Sequence, residues 1–118
     1  MDIRRGEVFI AALDPVLGSE NSKTRPVLIV SNNQNNSFSS TVTILPITSG
    51  NLVKIYPFEV FLPAGAGNLP KDSKAKADQI RTLDKGRLVK RIGKVDKRAM
   101  DLVEKAMAVH LALGLGQK

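Results

Sequence analysis

Residues 7–13 are apolar with β-branched and aromatic members until Asp14, Pro15 and Gly18 break the run. Such a stretch bounded by turn formers predicts a first strand. Residues 26–31 are almost wholly apolar and predict a strand buried on both faces, whereas 32–40, dense in Asn and Ser, predict a loop or turn. Thr and aliphatic side chains alternate from Thr41 to Thr48, the third predicted strand. After a polar connection over 49–56, residues 58–62 alternate as a fourth strand, ended by Pro63 and the Gly65, Gly67, Pro70 cluster, where a mobile loop is expected. Residues 76–82 predict a fifth strand, with Ala77, Gln79 and Arg81 on one face and Asp78 and Ile80 on the other. A turn at 84–86 leads to a last short strand over 88–95.

Residues 97–113 contain neither Gly nor Pro, and Asp96 is a suitable N-cap, so this stretch predicts one helix. Its apolar residues, Ala99, Met100, Leu102, Val103, Ala106, Met107, Val109, Leu111 and Leu113, cover more than half the circumference. That arc is wider than one sheet needs, which points to a second subunit over part of it. Short strands followed by a long helix predict an α+β, mostly β fold: a compact, mostly antiparallel barrel with the C-terminal helix on its side. A length of 118 residues suits a single domain spanning 1–118.

Composition narrows the chemistry. The chain has no cysteine, which removes thiol nucleophiles, disulfides and thiolate metal sites together. Neither a secretory signal nor a stretch long enough to span a bilayer is expected, so the reading is cytoplasmic with no membrane partner. Four Phe, one Tyr and no Trp leave few aromatic platforms for base stacking. The net charge is +7, and residues 71–98 carry 11 of the 18 Lys and Arg against four acids. A local excess of this kind fits a polyanion partner, or simply a well solvated basic surface.

His110 is the only histidine, so one subunit cannot supply a two-histidine acid–base pair. Its place in the apolar arc predicts a buried or interface residue rather than a catalytic one. The carboxylates Asp14, Glu20, Glu59, Asp72, Asp78 and Asp84 show no metal-ligand spacing, and no phosphate-loop motif follows Gly65 or Gly67. Arg25, Thr48 and Glu20 remain, and they suffice for one reaction. RNA cleavage can use the substrate's own 2′-OH as nucleophile and needs neither metal nor cofactor. The protein must hold the phosphate in line, stabilise the added negative charge and move two protons. Arg25 suits charge stabilisation and is too basic to be a general base; Glu20 is the better proton acceptor; Thr48 could hold a nonbridging oxygen. Taken singly, Glu20 and Arg25 read rather as a surface ion pair worth at most about 1 kcal/mol, and Thr48 as a strand end.

Ordered blocks give these residues a context. Arg5, Gly6, Glu7 and Val8, then Asp14, Pro15, Gly18, Ser19 and Glu20, then Arg25, Pro26, Val27 and Leu28, resemble the opening of the MazF/PemK (Kid) toxin endoribonucleases. Thr41, Val42, Pro46, Ile47, Thr48 and Ser49 resemble the family's next block. Asp78, Gln79, Ile80, Arg81, Thr82, Leu83 and Asp84, with Lys85, Arg87 and Leu88, resemble its most recognisable segment. The likeness runs over nearly the whole chain.

The resemblance implies an SH3-like barrel of the MazF/Kid/CcdB type and a homodimer whose groove takes single-stranded RNA. It implies sequence-specific, metal-independent cleavage of mRNA to 2′,3′-cyclic phosphate and 5′-OH ends, inhibiting translation and growth. The family's catalytic arginine and threonine fall on Arg25 and Thr48, and its acidic loop residue on Glu20. RNA contacts fall on Ser19, Gln79, Lys76 and Arg81. The implied partner is a cognate MazE-type antitoxin whose acidic tail blocks the groove, with DNA contacted only through the antitoxin complex; the basic 71–98 segment is a natural target for that tail. The alternative is a toxin of the same fold that binds DNA gyrase without cutting RNA, and a third reading is a plain RNA-binding module.

Overall fold

In the computed structural model, residues 1–13 and 23–114 are described. Seven strands pair antiparallel: β1 (Glu7–Ala12), β2 (Thr24–Ile29), β3 (Thr41–Thr48), β4 (Glu59–Leu62), β5 (Ser73–Lys76), β6 (Arg81–Asp84) and β7 (Leu88–Lys94). Their order is β4-β5-β3-β2-β1-β7, with β6 also pairing β3. Among the described residues two α-helices accompany the strands, α1 (Asn33–Phe38) and α2 (Lys97–Leu111).

Period-two alternation sorts the strands into two apolar faces. Val8, Leu28, Leu45, Ile47 and Ala75 form one core with Val103 and Ala106 of α2. Their alternates Phe9, Ala11, Val27, Ile29, Val42 and Ile44 form the other with Leu83 and Leu88. Asp96 caps α2 as expected, its carboxylate accepting from the Ala99 amide at 2.9 Å. The helix ends at Leu111, and Ala112 adopts the left-handed conformation of a C-terminal cap.

The expected barrel is present as an open sheet. Strands β4 and β7 end the order and do not pair with each other among the described residues. Between them sits a 3₁₀ turn, Ala66–Asn68, whose Asn68 side-chain amide donates to the Ile92 carbonyl of β7 at 2.7 Å. Gly67 lies at φ +56° and a Cβ there would come within 2.6 Å of Val8 Cγ2. The segment expected to be a mobile loop is therefore tied down. Asp72 adds to this by accepting from the Ala64 amide at 2.8 Å.

Two further expectations change. Residues 33–38 are helical rather than a loop, because Asn32 caps the Asn35 amide at 2.7 Å and Asn36 is buried against Ser31. The expected fifth strand over 76–82 is broken by a 3₁₀ turn, Ala77–Gln79. Ile47 pairs with Ala75 but Ile44 pairs with Arg81, so the two residues of β3 between them face five of the other segment. The surplus bulges out opposite Leu45 and Pro46. In consequence Ala77 turns into the core instead of sharing a face with Gln79 and Arg81.

Candidate active-site cleft

The β2–β3 register pairs Ile29 with Ile44, Leu28 with Leu45 and Val27 with Pro46. The pairing ends there, and two residues further along each strand come Arg25 and Thr48, both as alternates of the second apolar face. There the apolar pattern stops and a polar cleft begins. Arg25 and Thr48 line a cleft of about 560 Å³ with Gln79, Lys76 and Arg81, and they also line an adjoining one of about 370 Å³ with Lys23, Ser49 and Lys71. The pair thus stands at the waist of a two-lobed groove.

Arg25 is exposed at the start of β2, on a strand paired to both β1 and β3. Thr48 is half-buried, and its hydroxyl oxygen accepts from the Gly50 amide at 3.1 Å. That bond orients Oγ1 and leaves its proton available to a ligand oxygen. Gln79 is exposed on the 3₁₀ bulge, which carries it outward over the first cleft. Arg81 donates through Nη2 to the Leu13 carbonyl at 3.2 Å, bracing the end of β1 beside the cleft. Ser19 and Glu20 lie outside the described residues.

Lys76 reaches the cleft with its ammonium already engaged. Glu59, directly across the β4–β5 ladder, accepts from Lys76 Nζ at 2.7 Å and from Lys74 Nζ at 3.0 Å. Burial by itself would raise the Glu59 carboxyl, but the hydrogen bonds from Lys76, the Tyr56 amide and Lys74 outweigh it and hold the group at about 2. The bond to Glu59 raises Lys76 against the opposing effect of burial, helped by Asp78, whose Oδ1 is 3.9 Å away. Lys76 therefore presents a largely compensated charge.

Neither Lys74 nor Glu59 is among the functional residues expected from the sequence. The available signal was a Glu at an inward position of a short strand, matched by two lysines at alternate positions of the next. The basic 71–98 segment is likewise not one uniform face. Besides the two lysines on Glu59, Arg91 pairs with Glu7 at 2.8 Å and Lys97 with Asp101 at 3.1 Å. His110, expected to be buried or at an interface, is exposed in the isolated chain, its ring centroid 6.4 Å from that of Phe58. Of the apolar arc on α2 only Val103 and Ala106 are buried, while Leu102, Val109 and Leu111 stay 44–47% exposed.

Comparison with known proteins agrees with this architecture. The endoribonuclease MazF9 of Mycobacterium tuberculosis is 39% identical over 116 residues, covering 94% of this chain and 98% of the relative. The endoribonuclease EndoA of Bacillus subtilis is 39% identical over 113 residues, covering 96% and 97%. A solved endoribonuclease in complex with its cognate antitoxin, from a mycobacterial species, superposes with a TM-score of 0.76 at 27% identity, covering 94% of this chain and 96% of that one. Residues 4–111 match the family described as PemK-like, MazF-like toxin of type II toxin-antitoxin system. The chain, with Arg25 and Thr48 lining both lobes of a polar groove, belongs to that family of toxins.

Proposed function

We propose that this chain is the toxin of a type II toxin–antitoxin pair and cuts single-stranded RNA, mRNA included, at short sequences without a metal. The reaction is attack of a ribose 2′-oxygen on the adjacent phosphorus. The 2′-O–P bond forms, the P–5′-O bond breaks, and the products carry a 2′,3′-cyclic phosphate and a 5′-OH. One proton leaves the 2′-OH and one reaches the departing 5′-oxygen. The observation that carries this reading is that Arg25 and Thr48 line both lobes of the groove, so that nucleotides on either side of one phosphate have room.

Arg25 supplies planar, permanently charged donors for the phosphorane, whose negative charge exceeds that of the ground-state phosphate. Thr48, oriented by Gly50, donates to a nonbridging oxygen. Glu20 takes the 2′-OH proton, a role that suits a carboxylate and not a guanidinium. Gln79 and Arg81 contact the RNA in the larger lobe, and Ser19 is a further RNA contact on the family resemblance alone. Lys76 contributes there mainly through its position.

The exposed apolar face of α2 supports a homodimer, and an acidic antitoxin tail across the groove would compete with RNA for Arg25 and Arg81. The working compartment under this reading is the cytoplasm. Incubating the purified chain with mixed-sequence single-stranded RNA in EDTA, followed by end-group analysis, tests the reaction. Cyclic phosphate and 5′-OH ends, lost in Arg25→Ala, are expected. Intact RNA together with co-purification of gyrase would move the assignment to the gyrase-binding alternative.

A further inference from the structure

Lys74 is the register partner of Thr48 in the β3–β5 ladder, yet its ammonium does not serve the groove as a free cation. The side chain is only 3% exposed, and Nζ donates to the Asn51 carbonyl at 2.8 Å, the Lys54 carbonyl at 3.2 Å and Glu59 Oε1 at 3.0 Å. Three acceptors match the three donors of a lysine ammonium. The same Glu59 oxygen accepts from the Tyr56 amide at 3.0 Å. Residues 51, 54 and 56 of the β3–β4 connection are thus fastened from below to one buried ion pair. Asn51 sits at φ +56°, a left-handed turn conformation that asparagine adopts more readily than other non-glycine residues.

This connection is a wall of the groove. Gly50 and Asn51 line the large lobe beside Thr48, and Asn51, Val53, Lys54 and Tyr56 line a further hollow of about 340 Å³ on its other side. A polar segment without regular hydrogen bonding would otherwise sample many shapes. We infer that Lys74, through its cage of Asn51 and Lys54 carbonyls and Glu59, is a positioning residue that sets the shape of this wall and thereby the RNA sequence the groove accepts. The inference rests on the nuclease reading above. With its three donors engaged by Asn51, Lys54 and Glu59, the Lys74 ammonium has none left for a phosphate. The Thr48 backbone is held by its own strand and only its hydroxyl is oriented by Gly50 of the wall, so the clamp acts chiefly on fit and less on the chemical step.

Lys74→Met tests this cleanly, because Glu59 keeps Lys76 as a counter-charge and thermal melting verifies that the variant folds. Wild type and variant are given a randomised single-stranded RNA pool with 5′-end mapping, and kcat and KM are measured on the preferred oligonucleotide. The expected result is a KM raised about tenfold, kcat within about threefold of wild type, and a broadened set of cleavage sites. Unchanged sites and KM overturn the inference. A variant that does not fold shifts the decision to wild-type hydrogen exchange, where the Gly50 and Tyr56 amides should be protected at least about tenfold over an open chain; exchange at open-chain rates overturns it. Wild-type protein that leaves the pool intact overturns the nuclease reading itself, a result distinct from active wild type with an indifferent variant.

Discussion

Lys76 Nζ lies 2.7 Å from Glu59 Oε2 across the β4–β5 ladder, and the carboxylate it meets is only 1% exposed. Breaking such a pair from one side leaves an uncompensated buried charge. The Glu59 carboxyl is lowered from 4.5 to about 2 on folding, so its contribution is fully present above pH 4.5 and lost as pH falls through 2. The size is on the order of 3 kcal/mol. Urea denaturation followed from pH 6 to pH 2.5 should show stability falling below about pH 4.5, and Glu59→Gln should flatten that part of the curve while lowering stability at neutral pH. The raised Lys76 acts in the opposite range: its contribution is present below its unfolded value of 10.5 and is lost as pH rises through the higher folded value.

Arg25 is exposed and Thr48 only half-buried, so truncating either should leave the fold intact. Arg25→Ala should lower kcat/KM on RNA by about 10²–10³, the scale of losing one preorganised donor to developing charge. Arg25→Lys should recover little, since a point charge does not reproduce the planar fork. Thr48→Ala should cost about tenfold, matching one hydrogen bond of about 1.4 kcal/mol. Steady-state cleavage assays with matched thermal melts check all three, and an Arg25→Ala enzyme of full activity would remove Arg25 from the mechanism.

The 3₁₀ turn that fills the gap between β4 and β7 depends on close backbone approach. A Cβ on Gly93 would collide with the Gly67 carbonyl group, and Gly67 has no room beside Val8. Gly93→Ala should destabilise the protein by about 1–3 kcal/mol through overpacking. Gly67→Ala adds the strain of a positive φ to a similar clash and should cost more. Denaturation midpoints at unchanged m-value are the readout.

Leu102, Val109 and Leu111 leave an apolar stripe on α2 that the isolated chain does not cover. Because these positions are exposed, Val109→Lys should change monomer stability by no more than about 0.5 kcal/mol. If the stripe meets a second copy, that substitution should shift the mass seen by sedimentation or light scattering from dimer to monomer. Unchanged mass would place the dimer contact elsewhere.

Most strands were legible in the sequence because each is a short run with two-residue periodicity between Gly, Pro or Asn breaks: Thr41–Thr48 matches its predicted bounds residue for residue. The C-terminal helix, with its Asp96 cap, was legible for the same local reason. Helix α1 was not. Its Asn-rich residues have poor helical propensity and form a helix because Asn36 finds buried partners in Ser31. The bulge at Ala77–Gln79 was equally hidden, since 76–82 alternates well enough for a strand and only the pairing with β3 reveals three residues too many.

The sequence by itself determined the strand-rich class, the absence of thiol chemistry, and Arg25, Thr48, Gln79 and Arg81 as residues to watch. These follow from residue type, local period and the order of blocks along the chain. Tertiary structure decided which of the basic residues are compensated. Lys74 and Lys76 look like an exposed basic run, and only the β4–β5 register brings Glu59 beneath them. It also decided that Arg25 and Thr48, distant in sequence, line the same two clefts. Such relationships depend on strand register, and register is set by long-range packing that no local pattern records.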